Sequence, residues 1–345
     1  MSVKQTSVQG LNRWVDALAA KHPVFGVTAK GGRFAYERLS AAAELRLDYD
    51  VTILPPKKYF LPQVETLLTY NAKGEYQSCV DVEPFVLFGV HPYDLVALNQ
   101  LDAIFEKDNP DAHYLTRRKS ATIVACDVQT PSEHIFAGCM GTATAKDGFD
   151  ILLTRVGEQY VVDVRTAKGR ALLADLAEAK DADAAVLARR EQVWQDAERF
   201  LKMHRLQVRP EDLPALLSRK ESYHHPIWQQ KAAACYSCGS CNLVCPTCYC
   251  FDVQDKLAWQ APCGQRERRW DGCLLCDFAV VAGNHNFRKL RADRYRHRYY
   301  RKGKYLWDRM GQIACVGCGR CIAACTTKIA NPVEIYNALN GGKQA

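Results

Sequence analysis

Two cysteine runs of identical spacing constrain this chain more than anything else in it. They are Cys235-x-x-Cys238-x-x-Cys241-x-x-x-Cys245-Pro246 and, after 69 intervening residues, Cys315-x-x-Cys318-x-x-Cys321-x-x-x-Cys325. A cubane of four irons and four sulfides needs four thiolates; three closely spaced cysteines wrap one corner and the fourth arrives from elsewhere. The reciprocal arrangement predicts two 4Fe-4S clusters. Cluster one is expected on Cys235, Cys238, Cys241 and Cys325, and cluster two on Cys315, Cys318, Cys321 and Cys245. Structural zinc is the competing reading, but zinc sites are usually built from two cysteine pairs. Each run here is three-plus-one, and Pro246 follows the first as it does in bacterial ferredoxins. The second run ends Cys325-Thr326, a departure in the turn after the ligand and not in the ligand itself.

A length of 345 residues provides for two domains or one large one. Sixteen cysteines would fit a disulfide framework in a secreted chain, but Met1 to Ala20 holds no apolar signal-peptide core and no stretch approaches a membrane span. Free thiols imply a reducing compartment, so a cytoplasmic location is expected. The net charge of +8 is unevenly placed: ten cationic residues lie between Arg288 and Arg309, interleaved with Tyr295, Tyr299, Tyr300 and Tyr305. A nucleic-acid groove is one reading of that segment. The favoured reading is compensation of negatively charged clusters, or docking of an acidic partner, because the second run begins six residues after Arg309.

The expected fold class is α+β: an N-terminal α/β domain over 1–166, without a cluster of its own, a helical connector over 167–222, and a C-terminal helical ferredoxin domain with two 4Fe-4S clusters over 223–345. Val24 to Thr28 and Arg33 to Tyr36 flank Lys30-Gly31-Gly32, which reads as a hairpin. Phe85 to Val90 and Ala121 to Ala125 are continuous apolar runs of buried-strand length. Between them Leu95, Leu98, Leu101, Ile104 and Phe105 recur at helical spacing, and Pro92 suits a first turn. Strand, helix and strand predict a crossover unit with parallel pairing. A second hairpin joins Ile151 to Thr154 with Tyr160 to Val164, and Leu187, Val193, Ala197, Phe200 and Leu201 mark a helical stripe. Helices are expected to follow each ligand run and insulate the clusters.

Further strings carry a resemblance: Cys245-Pro246-Thr247-Cys248-Tyr249-Cys250, Arg268-Arg269-Trp270-Asp271-Gly272-Cys273, Ala282-Gly283-Asn284-His285-Asn286-Phe287-Arg288 and Cys315-Val316-Gly317-Cys318-Gly319-Arg320-Cys321, with Leu54-Pro55-Pro56-Lys57-Lys58-Tyr59-Phe60 and Phe88-Gly89-Val90-His91 in the N-terminal half. In these the chain resembles the iron-sulfur beta subunit of cytosolic nickel-iron sulfhydrogenases and the corresponding iron-sulfur subunit of anaerobic sulfite reductase. The resemblance implies an electron relay inside a hetero-oligomeric complex. One partner would be a flavin subunit reacting with NAD(P)H, the other a nickel-iron hydrogenase catalytic subunit or, alternatively, a sulfite or sulfur reductase. Flavin and nicotinamide cofactor would then sit on a partner, and this chain would hold no catalytic residue. The absence of a Gly-x-Gly-x-x-Gly fingerprint, a flavin motif and a P-loop from the sequence fits that reading. From a different class, the alternative is a basic nucleic-acid-binding iron-sulfur protein.

The resembling chains carry four further N-terminal cysteines, implying an additional cluster. Here the matching positions are Tyr93, Cys126, Ile135 and Ala137, so one thiolate remains, with Cys139 and Cys79 too scattered to replace the others. Between the two runs stand Cys248, Cys250, Cys263, Cys273 and Cys276. One reading is a third metal site on Cys248, Cys250, Cys273 and Cys276, with His285 an alternative donor. The other is a set of buried small thiols lining the cluster pocket. Gly317 and Gly319 are expected to let the backbone approach cluster two, Lys57 and Lys58 to face either an anionic cofactor or water, and Trp270, Phe287 and Tyr300 to pack between helices.

Overall fold

The computed structural model describes residues 2–80, 82–259 and 261–341. Strand β1 (Ser2–Ser7) leads directly into helix α1 (Val8–Lys21). Ser7 ends the strand and caps the helix, its hydroxyl accepting from the Gly10 amide at 3.0 Å. Leu11, Trp14, Val15 and Leu18, three or four residues apart, form the buried stripe of α1. The hairpin β2 (Val24–Lys30) and β3 (Arg33–Arg38) follows, then a smaller pair, β4 (Val64–Tyr70) and β5 (Tyr76–Ser78). The crossover unit comprises β6 (Phe85–Val90), α2 (Pro92–Glu106), α3 (Ala112–Ser120) and β7 (Ala121–Cys126). After it come β8 (Ile151–Val156), β9 (Gln159–Val164), α4 (Ala167–Leu173), β10 (Lys180–Asp181) and α5 (Ala184–Phe200).

Eight of these strands form one sheet in the order β10-β1-β9-β8-β7-β6-β2-β3. Its centre is parallel, β2 with β6, β6 with β7 and β7 with β8, and both flanks are antiparallel. Every residue of β6 is buried because helices cover both faces of the sheet there. Alternation divides its side chains: Val86 and Phe88 join the core beneath α1, while Phe85, Leu87 and Val90 join the core beneath α2. Each such burial is worth about 1.5–3 kcal/mol.

Two differences from the sequence reading concern elements. The stretch after residue 167 is helical in α4 and α5, but Lys180 and Asp181 between them return to the sheet edge and pair with Gln5 and Lys4 of β1. The C-terminal half is not wholly helical. Phe251–Leu257 (β11) and Gly264–Trp270 (β12) form a hairpin between the ligand runs, where insulating helices were expected. The alternation of Phe251, Val253 and Leu257 with polar residues favours a strand, and β12 pairs with β4, giving a second sheet ordered β11-β12-β4-β5. Both halves of the chain therefore contribute to this sheet. Arg268 in β12 anchors the junction: it is buried, donates to Glu65 of β4 at 2.6 Å and pairs with Asp111 at the start of α3. Around the ligand runs, Trp228, Tyr295, Tyr299, Tyr300 and Tyr336 form an aromatic core on short helices. No helix among the described residues is long and apolar enough to cross a membrane.

Candidate iron-sulfur site

The two runs follow the same backbone path. In the first, Ser237 and Gly239 have left-handed φ values of 54° and 73°; in the second, Gly317 and Gly319 occupy the equivalent places at 67° and 78°. Left-handed residues alternating with ordinary ones fold the chain into a concave nest and turn successive amides inward. The Ser237 amide lies 3.4 Å from Cys235 Sγ, and the Gly317 amide bonds Cys315 in the same manner. Each nest leads into a short helix, Ser240–Leu243 in one run and Arg320–Ala324 in the other, and these two helices pack together.

That packing carries the last cysteine of each run across to the other. Cys235, Cys238 and Cys241 line one pocket together with Cys325, beneath Leu274, Tyr295 and Ile329. Cys315, Cys318 and Cys321 line a second pocket together with Cys245, beneath Phe136, Arg298 and Lys302. The first pocket meets solvent at Cys238, which is exposed. The second is closed by the N-terminal half. There the Phe136 amide donates to Gly317 O at 2.8 Å and the Thr142 hydroxyl to Val316 O at 2.7 Å. The left-handed glycines thus have a role beyond the nest: a Cβ on Gly319 would stand 2.4 Å from His134 O, and one on Gly317 2.7 Å from the Phe136 backbone. The close approach at these two positions is to the other half of the chain. Arg320, between two cysteines of the second run, is buried and forks onto Asp94 of α2 with two bonds of 2.7 Å, while its remaining donors reach Thr52 at 2.9 Å.

Charge tests whether these pockets suit an anionic metal cluster. The helix Arg291–Tyr300 and the π-turn Arg301–Tyr305 that extends it carry Arg294, Arg298 and Lys302, four residues apart and all buried. Arg294 is satisfied by the carbonyls of Leu274, Arg288 and Lys289. Lys302 donates to Thr247 Oγ1 at 2.6 Å, and Arg298 Nη1 points at Cys248 Sγ at 3.9 Å. Burial works against the Lys302 ammonium, yet the thiols of Cys245 and Cys248 hold its pKa above the usual lysine value. The Cys245 thiol is held well below the ordinary thiol range by its hydrogen bond with Cys248, assisted by Lys302 and Arg298 against burial. Lys57 is the third such cation: it is buried, donates to Cys248 O at 2.6 Å and lies 4.2 Å from the Trp270 ring centroid. Its burial lowers its pKa to about 8. Cations buried without carboxylates are costly unless an anion sits beside them. Four thiolates and a sulfide-rich cluster supply that anion, so the residues present fit the group.

Sequence reasoning missed which cations these are. The signal was available in the four-residue spacing of Arg294, Arg298 and Lys302, a stripe down one helix face.

Comparison with known proteins agrees with the geometry. Residues 234–329 match the 4Fe-4S dicluster domain family. Across 321 residues, 92% of each chain, the protein is 35% identical to sulfhydrogenase 2 subunit beta of Pyrococcus furiosus. The chain belongs to the sulfhydrogenase subunit beta family. It is an iron-sulfur electron-transfer subunit.

Within this sulfhydrogenase beta fold, five of the eight remaining cysteines bear on the expected additional sites. Cys248, Cys250 and Cys273 are neighbours: Asn242 Nδ2 lies 3.3 Å from Cys273 Sγ and 3.8 Å from Cys248 Sγ, and Cys273 acts electrostatically on Cys250. Cys276 is exposed and lies 3.5 Å from Arg294 Nη2. Among the described residues no three cysteine, histidine or carboxylate side chains converge tightly enough to hold a single metal ion. In the N-terminal half, Tyr93, Ile135 and Ala137 pack with Val316 and Cys318 in one apolar cluster. Cys126 belongs to a different core, on the α1 side of the sheet, and burial pushes its thiol up to about 12. Phe287, expected to pack between helices, is exposed, whereas Tyr300 is buried and Trp270 is fixed by a 2.9 Å bond to Leu61 O.

Proposed function

We propose that the chain relays single electrons through two 4Fe-4S clusters, cluster one on Cys235, Cys238, Cys241 and Cys325 and cluster two on Cys315, Cys318, Cys321 and Cys245. The observation that carries this reading is the exchange of the fourth cysteine, which lines the other run's pocket in both directions. When bound, each cluster supplies a one-electron couple, so a pair divides a two-electron hydride equivalent into single steps. The chain's own residues hold the thiolates apart in the two nests, neutralise the charge, and exclude water from the second pocket.

In this reading the protein works in a cytoplasmic complex, between a flavin partner that reacts with NAD(P)H and a nickel-iron catalytic partner. The relative's name, a sulfhydrogenase subunit, supports a hydrogenase as that terminal partner. The N-terminal half holds no cluster of its own, because aromatic and aliphatic side chains fill three of the four positions that would ligate one. Cys248, Cys250 and Cys273 act as free thiols beside the cations, a reading supported by Cys276, which is exposed and lies against Arg294 instead.

Purification of the native complex under anaerobic conditions, with iron analysis and identification of the co-purifying subunits, tests the whole reading. About eight irons per chain are expected, and about twelve would mean a third cluster. Cys318→Ala should remove cluster two, leave about four irons, and stop electron transfer from nicotinamide cofactor to the catalytic partner. Unchanged transfer in that variant would falsify the relay.

A further inference from the structure

The protein buries two kinds of cation. Arg268 and Arg320 are each paired with carboxylates, Glu65 and Asp111 for the first and Asp94 for the second. Arg298 and Lys302 are as deeply buried, yet the charges that act most strongly on them come from cysteines. For Arg298 these are, in order, Cys241, Cys321, Cys248 and Cys245; for Lys302 they are Cys245 and Cys248. No carboxylate is paired with either among the described residues. Both line the second pocket and neither lines the first, but Cys241, the leading charge on Arg298, belongs to the first pocket's set. Arg298 therefore lies between the two thiolate sets, and Lys302 beside one.

We propose that Arg298 and Lys302 set the reduction potentials of the clusters: Arg298 raises both, and Lys302 raises cluster two alone. Reduction adds one electron to a group that is already anionic and transfers no proton, so a fixed cation beside it stabilises the reduced form more than the oxidised one. In a buried site that effect is little screened by solvent or salt. Thr247 fixes the distance for Lys302, since its hydroxyl donates to Ala314 O at 2.5 Å and presents its lone pair to the ammonium. The third cation of the stripe, Arg294, lines neither pocket: it bonds three backbone carbonyls, and its Nη2 reaches Ser237 Oγ at 3.2 Å and Cys276 Sγ at 3.5 Å. The inference rests on the two-cluster reading above.

The experiment is a redox titration of the anaerobically purified, iron-loaded full chain, followed by electron paramagnetic resonance. The Cys318→Ala chain identifies the signal that belongs to cluster one. Lys302→Gln is expected to cut the reduced-to-oxidised ratio of cluster two about tenfold at fixed solution potential, equivalent to about 59 mV for one electron, and to leave cluster one in place. Arg298→Gln is expected to lower both. The charge-keeping variants Lys302→Arg and Arg298→Lys should titrate close to the unsubstituted chain. Glutamine variants with full iron and unshifted potentials would overturn the proposal. If a glutamine variant loses its iron, the charge-keeping variant decides: retention of iron there supports the role of charge, and loss there too overturns it. A wild-type chain without two clusters' worth of iron sinks the relay reading itself, before any variant is compared.

Discussion

Asp127 follows the last residue of β7 and is a carboxyl group with too few partners. Its Oδ2 accepts from the Thr154 hydroxyl at 2.6 Å and from the Trp194 indole at 2.8 Å, but Oδ1 has none among the described residues. Burial raises its pKa from 3.8 to about 6, and the bonds from Thr154 and Trp194 and the charge of Arg190 only partly oppose that rise. The folded state therefore binds the proton more tightly than the unfolded chain. Stability from this group is present below the unfolded value of 3.8 and is lost as pH rises to about 6. Asp127→Asn removes the ionisation while keeping an acceptor for Trp194 and Thr154. Its stability relative to wild type should improve by about 1–3 kcal/mol between about pH 4 and pH 7.5. Thermal unfolding of the iron-loaded chain at the two pH values checks this, and a difference independent of pH would refute it.

At the scale of elements, the helix Arg291–Tyr300 and its π-turn Arg301–Tyr305 decide where charge goes. A wide turn at this point advances the chain by less rotation per residue than an α-turn, which keeps Lys302 in line with Arg298. Gly303 makes the turn fit: a Cβ there would stand 2.6 Å from Leu217 Cδ1 and 3.1 Å from the Tyr336 hydroxyl. Gly303→Ala should therefore destabilise the chain by about 1–3 kcal/mol through overpacking, read as a lower denaturant midpoint at unchanged slope. The sequence showed β6, α2 and β7 clearly, because each announces itself within a few residues by apolar runs or helical spacing. The pairing of the two cysteine runs was legible too, since their spacing is local, and the eight thiols line two pockets. The hairpin β11–β12 was missed although its alternation was visible, because its stabilising partner β4 lies about two hundred residues earlier and no local pattern names it. Arg298 and Lys302 were hidden for a similar reason. Ten cations look alike until packing chooses a face.

At the scale of the whole molecule, the two halves share a sheet and seal one of the two cysteine pockets between them. The N-terminal half contributes walls to that pocket: Tyr93, Ile135 and Ala137 lie against Cys318, while its one thiol at a matching position, Cys126, faces another core. Cys126→Ser should accordingly leave the iron content of the purified chain unchanged; loss of about four irons would assign that half a cluster. The sealing contact has a consequence for how such a chain can change over generations. Arg320 and Asp94 are 226 residues apart and meet where water does not reach. A recombined chain that took one half from a relative without the matching charge would bury a lone ion, at about 3–5 kcal/mol, a large share of a domain's margin. The halves are thus bound to be inherited together, and neither can be exchanged without its counterpart.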